Sequence, residues 1–390
     1  MIGKEMFKNI FKDHWEGFKK DYPEYDSEYY DNIVLKMLGC GSDSNGYTEY
    51  KCISCGECSK RIAFTCKSGF CLSCGKVYSD KIVSRISQNL HSGVTYRHIV
   101  LTVPEQLRTV FYNNRKTKNL FSEFIKAGYQ CLEDVINIIK RQLIKVGATI
   151  MIHTHGRSGS YNPHLHIILT SGGINTKNEK WVNLGYFSYE VIHKKWQFYL
   201  LQMVKDVCGE KSNKVIDLLW KHYPNGFVAN VSKGDAPQQS KGLAKYLAKY
   251  IASPPISIKR IISYTGRHVT YWYKDHETKK KKTETVSVFR FIGRMVQHIM
   301  PKGFQRIRYY GLQATKSFNK WCAAIKEGFR KARKMLKDTY QIITFKKYRN
   351  RCIESTGKDP FLCSNCKGIM QIWKIWHPKY GLLFGFLDTS

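Results

Sequence analysis

The sequence predicts an α+β protein with a small Cys-rich unit near its N-terminus and a basic helical region at its C-terminus. Three observations carry this. Short apolar runs of strand type alternate with longer segments of helical period. The stretch Cys40–Cys74 is dense in Cys, Gly and Ser and too poor in apolar residues to hold itself together by burial. Residues 320–351 contain eleven Lys/Arg against two acidic residues. The chain has 390 residues, 43% of them hydrophobic and 14% aromatic. That length suggests two or three domains, and that composition excludes a disordered chain.

Residues 1–38 read as two helices. Phe7, Ile10, Phe11, Trp15 and Phe18 follow helical spacing, and Ile33–Leu38 form a second apolar run. Asp21–Asp31 between them is a loop or a helix start. His98–Val103 reads as a strand ending at Pro104. Residues 105–146 look helical, with Phe121, Phe124, Ile125, Leu132, Val135, Ile136 and Ile139 near the expected period. Strands follow at Ala148–His155 and His164–Thr170, then a helix at Val191–Val207. Asn230–Ser240 is a polar loop. Lys241–Ala252 is a short helix stopped by Pro254 and Pro255. Ile258–Tyr273 is a hairpin turning at Thr265-Gly266, Lys279–Lys282 a charged loop tip, and 288–300 a helix ending at Pro301. Gln305–Tyr310 is a strand on which Arg306, Arg308 and Tyr310 share one face.

Lys+Arg number 64 and Asp+Glu 30, a formal net charge of +34. Such an excess implies a polyanionic partner, nucleic acid first and an acidic membrane surface second. No apolar stretch approaches the ~20 residues that span a bilayer, and Met1–Lys20 has no signal-peptide core. Thirteen cysteines without an export signal imply a reducing compartment, where C-x-x-C pairs mean metal more often than disulfide.

Cys52/Cys55 and Cys71/Cys74 form two such pairs. Four thiolates at the corners of a tetrahedron suit zinc, and the ion would supply folding energy that this stretch lacks. Cys58 could replace Cys55, and Cys40, Cys66 or His91 could join it in a second site. Cys363/Cys366 is a lone knuckle that Cys352, His377 or another part of the chain could complete.

The segment TIMIHTHGRSGSYNPHLHIILT, Thr149–Thr170, is the most informative. Strand side chains alternate in direction, so His153 and His155 share a face, as do His164 and His166. If the strands pair through the turn, all four histidines lie on one side of the sheet. Opposed residues are ~5 Å apart, close enough for three imidazoles to reach one divalent ion. His164 and His166 are the firmest ligands. His153 is preferred to His155 as the third, and Gln238 or Gln239 remain alternatives. Three neutral imidazoles leave positions open on the ion, as a catalytic metal requires.

In KGLAKYLAKYIA, Tyr246 and Tyr250 are i and i+4 and hence neighbours. Leu243, Leu247 and Ile251 make the core stripe, while Lys245 and Lys249 turn to solvent. The tyrosines are either amphipathic packing at a core edge or nucleophiles. An unperturbed phenol has a pKa of ~10, so a nucleophilic tyrosine needs a metal that draws charge from its target.

These motifs and their order resemble a known family. His164-Leu165-His166 matches the His-hydrophobic-His signature of HUH single-strand endonucleases. Tyr246-Leu247-Ala248-Lys249-Tyr250 matches the Tyr-x-x-x-Tyr helix of their two-tyrosine branch. The knuckles lie upstream, Asn162-Pro163-His164-Leu165-His166 runs on to Gly172-Gly173, and PKGFQRIRYYGL (Pro301–Leu312) follows. The order is similar to that of rolling-circle-type transposases of bacterial insertion sequences with an N-terminal zinc-binding domain, over about Leu38 to Leu312. The His153-to-His164 spacing resembles that of related relaxases with three histidine ligands. Where the family has an aromatic after the equivalent His-Thr, this chain has His155.

The resemblance implies an HUH endonuclease-like, five-stranded antiparallel sheet with flanking helices. The metal histidines would lie on a central strand and the tyrosines on a facing helix. Together with the composition along the chain, it suggests a helical and Cys-rich zinc-binding domain (1–95), a two-tyrosine catalytic domain (96–312) and a basic C-terminal region with a C-x-x-C knuckle (313–390). The resemblance also implies Mg²⁺ or Mn²⁺ as catalytic ion beside structural Zn²⁺. Three imidazoles suit Mn²⁺ or Zn²⁺ better than Mg²⁺, a conflict that substrate phosphate oxygens in the metal shell lessen.

The expected function is a DNA transposase that cleaves and rejoins single-stranded DNA through a 5′-phosphotyrosine. Its partners would be single-stranded and element-end DNA and no membrane, in the bacterial cytoplasm and at the nucleoid when DNA-bound. Lys245, Lys249, Arg306 and Arg308 are the expected DNA contacts. Tyr246 is the expected first nucleophile, as the tyrosine nearer the basic face through Lys249. The alternatives are a non-catalytic zinc-containing nucleic-acid-binding protein, which leaves the histidine hairpin unused, and a metal-dependent hydrolase, which has no need of paired tyrosines.

Overall fold

The computed structural model describes residues 2–185, 189–236, 240–250, 254–275, 277–331 and 347–386. The chain begins with two helices, α1 (Ile2–Asp21) and α2 (Glu28–Leu38), separated by a 3₁₀ turn at Pro23–Tyr25. Strands β1 (Tyr47–Cys52) and β2 (Ser59–Ala63) and helix α3 (Gly75–Gln88) complete the Cys-rich segment. Next come β3 (Tyr96–Thr102), α4 (Glu105–Asn113), α5 (Lys118–Lys140), β4 (Ile144–His155), β5 (Tyr161–Asn175) and β6 (Trp181–Asn183). After α6 (Tyr189–Cys208) and α7 (Asn213–His222) follow β7 (Ala229–Asp235) and α8 (Ser240–Tyr250). A second hairpin region contains β8 (Ile261–Tyr264), β9 (His268–Lys274), β10 (Lys281–Ser287) and α9 (Val288–Val296). The chain closes with β11 (Ile307–Gly311), α10 (Phe318–Lys331), α11 (Tyr348–Thr356), β12 (Met370–His377) and β13 (Gly381–Gly385).

The principal sheet is antiparallel in the order β11-β4-β5-β3-β7, with β6 added beside β5. Strand β5 lies at its centre, and its sequence makes the two faces different. Leu165, Ile167 and Leu169 face a core built with Leu107, Phe111, Phe124, Leu132, Trp196 and Leu219 of α4–α7. The alternate residues His164, His166 and Ile168 face the other way. There Ile168 and Met151 pack with Ile82, Val83 and Ile86 of α3 and with Leu243 and Leu247 of α8. Helix α5 approaches the first face closely because Gly128 has no side chain. A Cβ there would lie 2.5 Å from Leu165 Cδ1. Gly172 lets the Trp181 indole lie against β5, since a Cβ would meet that ring at 2.3 Å.

A second core joins the N-terminal helices to the region after α8. Phe7, Ile10, Phe11, Trp15 and Phe18 of α1 pack with Val269, Tyr271, Val286, Phe291 and Ile292. The strand order there is β10-β9-β8. A third sheet, β13-β12-β1-β2, unites strands from the two ends of the chain. The divisions expected at 95/96 and 312/313 therefore do not coincide with the cores. Helices α1 and α2 share theirs with residues 256–296, and β12 completes a sheet begun by β1.

Other local expectations are revised. The long helix over 105–146 is two helices, broken at Asn114–Thr117, and β4 already starts at Ile144. The expected polar loop at 230–240 contains edge strand β7, whose backbone pairs with β3 despite its polar side chains. Strands β12 and β13 were not expected at all. Among the described residues, no helix is long and apolar enough to cross a membrane.

Ile167 is fully buried on the central strand. Ile167→Ala is expected to cost about 2–5 kcal/mol, read as a lower unfolding midpoint with zinc content unchanged. An unchanged midpoint would show that the core of this face lies elsewhere.

Candidate metal and tyrosine centre

The three histidines converge through strand register. His153 on β4 is opposite His164 on β5, and Met151 is opposite His166. Candidate ligand atoms of His153, His164 and His166 lie within 4.8 Å of one another. Nε2 of His164 and Nε2 of His166 are 3.1 Å apart. Metal–nitrogen bonds of about 2.1 Å place neighbouring ligands about 3.0–3.4 Å apart, so this pair fits a shared divalent ion. His155 follows a register shift in β4. Its ring stacks on His153 at 4.9 Å and lies 5.6 Å from His298, outside the convergent set. Gln238 and Gln239 lie outside the described residues.

The rings are held by their second nitrogens. His164 Nδ1 is 2.7 Å from the Asn162 carbonyl, to which it donates, leaving Nε2 free for a ligand bond. For His166 to offer Nε2, its proton must sit on Nδ1, from which it donates to Nε2 of His98 at 2.8 Å. The His98 and His166 rings stack at 5.0 Å. Such outer hydrogen bonds orient metal-binding imidazoles. Burial pushes the pKa of His164 down, and that of His166 well below its usual value, with the neighbouring imidazoles adding to it. Burial, assisted by His164, lowers His98 to about 4. The imidazoles are therefore neutral near pH 7, as metal ligands must be.

Helix α8 faces this cluster. Leu243 and Leu247 are buried, which anchors the helix, while Lys245 and Lys249 are exposed. Tyr246 and Tyr250 are half-buried, with ring centres 4.9 Å apart. His98 lies 5.7 Å from the Tyr246 ring and 5.4 Å from that of Tyr250. One imidazole thus touches both a candidate metal ligand and the tyrosine pair. Burial raises Tyr246 to about 12, against the hydrogen bond from Ser232. The Lys249 ammonium lies 4.7 Å from the Tyr250 ring centre. The lysine that was expected to single out Tyr246 therefore sits beside its neighbour.

Arg306 and Arg308 do not form the expected common surface. The Arg306 guanidinium donates to the His298 carbonyl, and Arg308 Nη2 donates to Ser122 Oγ on α5 at 2.9 Å. Tyr310 stacks on Tyr129 of α5 at 4.8 Å. Because Arg308 is opposite Ile150, it shares the α5 face of the sheet, away from the imidazoles.

The cysteines also assort differently from the expected Cys52, Cys55, Cys71, Cys74 site. Cys71 and Cys74 converge with Cys40 and Cys66, with Cys74 Sγ 3.5 Å from Cys40 and 3.7 Å from Cys66. Cys52 and Cys55 instead face Cys363 and Cys366. A tetrahedron with Zn–S bonds of about 2.3 Å has S···S edges of about 3.8 Å, so the first cluster fits zinc. The physical reason for the regrouping is the fold itself. Pairing of β1 with β12 draws the C-terminal knuckle to the first N-terminal one, while Cys40 at the end of α2 and Cys74 at the start of α3 meet in the second core.

His98 was not singled out from the sequence as a site residue. Its only signal is that it shares a strand face with Val100, which register places opposite His166. That register is set by pairing between β3 and β5, across 68 residues.

A family described as "Putative transposase" matches residues 147–320, which contain the three histidines and both tyrosines. One described as "Transposase zinc-binding domain" matches residues 10–103 and contains Cys40, Cys66, Cys71 and Cys74. That match supports zinc as the ion of this cluster. The chain is 28% identical over 316 residues to "Transposase for insertion sequence element IS801" of Pseudomonas savastanoi pv. phaseolicola, covering 77% of this chain and 74% of the relative. It is 24% identical over 378 residues to "Putative transposase y4qJ" of Sinorhizobium fredii, covering 92% of each. No solved structure matches the chain significantly.

If His98 positions His166, His98→Phe should weaken Mn²⁺ binding about 10- to 100-fold, measured by calorimetric titration of protein stripped of divalent ions. His98→Gln, whose amide oxygen can accept the same proton, should recover much of that loss. Equal affinity in wild type and His98→Phe would reduce the ring to packing.

Proposed function

Because the chain belongs to the insertion-sequence transposases that carry an IS91-type zinc-binding domain, we propose that it cleaves and rejoins single-stranded DNA through a tyrosine-linked intermediate. The observation that supports this best is the juxtaposition, on one side of the sheet, of His153, His164 and His166 with the Tyr246/Tyr250 pair through His98. The central position of β5 and the helix facing its histidines support an HUH-type arrangement of the site.

In this reading the three histidines hold Mg²⁺ or Mn²⁺, which when bound polarises the scissile phosphate. One tyrosine oxygen attacks the phosphorus, the P–O3′ bond breaks, and the phenol proton is released. The products are a free 3′-OH and a 5′-phosphotyrosine. A DNA 3′-OH later attacks that phosphorus, the P–O bond to tyrosine breaks, and the phenol is restored. Each step exchanges one ester for another, so no ATP is needed, and the sequence contains no G-x-x-x-x-G-K-[ST] loop. Two tyrosines 4.9 Å apart allow two DNA ends to be held at once or in succession. The half-buried phenol of Tyr246 stays protonated near neutral pH, so its proton must leave as the bond to phosphorus forms.

Exposed Lys245 and Lys249 on the tyrosine helix are placed to meet the DNA backbone, within a general field set by the +34 charge. Arg306 and Arg308 are positioning residues in this reading, since their guanidiniums serve His298 and Ser122. The protein would act in the bacterial cytoplasm on element-end DNA and associate with the nucleoid when bound.

Labelled single-stranded oligonucleotides from the flanks of the encoding gene, incubated with Mn²⁺, should give a protein–DNA adduct that survives denaturing gels. Tyr246→Phe combined with Tyr250→Phe should abolish the adduct and the nick. Mn²⁺ and DNA binding should persist, because the rings and the basic surface remain. Nicking by the double variant at the wild-type rate would mean that water is the nucleophile and would replace this reading with hydrolysis.

A further inference from the structure

We propose that Cys52, Cys55, Cys363 and Cys366 form a second zinc site, a staple that fastens the C-terminal strands to the Cys-rich unit. The zinc-binding match ends at residue 103 and the transposase match at residue 320. Half of these ligands therefore lie beyond both.

The four sulfurs lie within 4.8 Å of one another. Cys52 Sγ is 3.5 Å from Cys366 Sγ, and Cys55 Sγ is 3.7 Å from Cys363 Sγ. These contacts are far longer than a disulfide of about 2.05 Å and close to the edge of about 3.8 Å expected around tetrahedral zinc. All four cysteines are free.

The backbone repeats itself on the two sides. In each knuckle the residue after the second cysteine takes a left-handed conformation, Gly56 at φ +70° and Lys367 at φ +59°. The first knuckle is closed by the Gly56 amide donating to the Cys52 carbonyl at 3.0 Å. The second is closed by the Lys367 amide donating to the Cys363 carbonyl at 3.2 Å. The Gly368 amide also points at Cys366 Sγ at 3.4 Å. Lysine reaches φ > 0 at a cost, and here it does so directly after the second thiol of its knuckle.

Among the described residues, the buried apolar packing at the knuckles themselves is slight. The buried apolar cluster under these strands consists of Cys52, Cys363 and Met370, with Tyr50, Cys55 and Cys58 at its edge. The β1/β12 pairing and the Tyr47–Trp376 and Tyr50–Phe361 ring contacts bring these segments, 308 residues apart, together, and zinc bound to four thiolates would add binding energy coupled to folding. The four thiols release their protons as the ion binds. Cys58 marks the limit of the site. Its sulfur lies 3.6 Å from Ser364 Oγ, yet it is not among the four convergent ligands.

The two zinc sites differ in access. Each site has one half-buried ligand, Cys66 or Cys55, but the other three of the first site are buried in the second core, whereas Cys366 of the staple is exposed. The staple should therefore release its ion first. Its loss would free β12 and β13 from β1 while leaving the metal and tyrosine centre intact.

The test uses the full chain, purified without chelator. Elemental analysis should find one zinc fewer per chain in Cys363→Ser combined with Cys366→Ser than in wild type, and no change in Cys58→Ser. Amide hydrogen exchange should then rise in both 47–52 and 370–377. A second measurement needs no substitution. Alkylation followed by peptide mass spectrometry should label Cys58 in untreated protein and spare the four ligands. Adding a chelator should expose all four together, ahead of Cys40, Cys71 and Cys74. Equal zinc content in wild type and the double serine variant would overturn the proposal. So would labelling of Cys363 and Cys366 in untreated protein as fast as Cys58.

Discussion

The arrangement depends on the register of one strand pair. His153 opposite His164 is the contact from which the candidate centre is built. A shift of one residue would turn every side chain of that strand to the opposite face. The register is strongly held because the opposite face of the same strand carries Leu165, Ile167 and Leu169, all fully buried. Each such side chain contributes about 1.5–3 kcal/mol of burial. The apolar face therefore pins the imidazoles that alternate with it. The cost of gathering desolvated imidazoles is reduced because they are neutral, as the depressed values of His98, His164 and His166 show.

The second half of the site depends on how a helix is held over that face. Leu243 and Leu247 seat α8 against Ile82, Val83 and Ile86 of α3 and against Met151 and Ile168 of the sheet. Helix α3 in turn is entered from Cys74, the residue before its first turn and one of the four cysteines of the Cys40 cluster. The structure thus links the Cys40 cluster, through α3, to the tyrosine helix. The Cys-rich unit acts as part of the scaffold of the tyrosines as well as a unit of its own. The N-terminal helices reinforce this by sharing a core with the hairpin and helix that follow α8.

Much of this was legible locally. The i, i+4 tyrosines and the leucines beside them lie on one helix because 3.6 residues make a turn. The paired histidines share a face because strands repeat every two residues. The turn at Thr265-Gly266 joins β8 to β9 as its composition implied. Positions that local periodicity could not reach behaved differently. Arg308 alternates correctly with Arg306 in sequence, but the sheet order puts it against α5. His98 carries no local mark, since its role comes from a partner 68 residues away.

The cysteines show where that boundary falls. By itself the sequence determined that each C-x-x-C pair is a knuckle, that His164 and His166 present their rings together, and that Tyr246 and Tyr250 are neighbours. Each of these is a relation between residues within four positions, set by backbone geometry alone. Only the tertiary structure decided that Cys71/Cys74 joins Cys40 and Cys66, and that Cys52/Cys55 joins Cys363 and Cys366. A knuckle offers two sulfurs and an orientation but carries no information about which other pair completes the tetrahedron. That choice is made by strand pairing between residues more than 300 positions apart and by the apolar packing that brings α2 and α3 together.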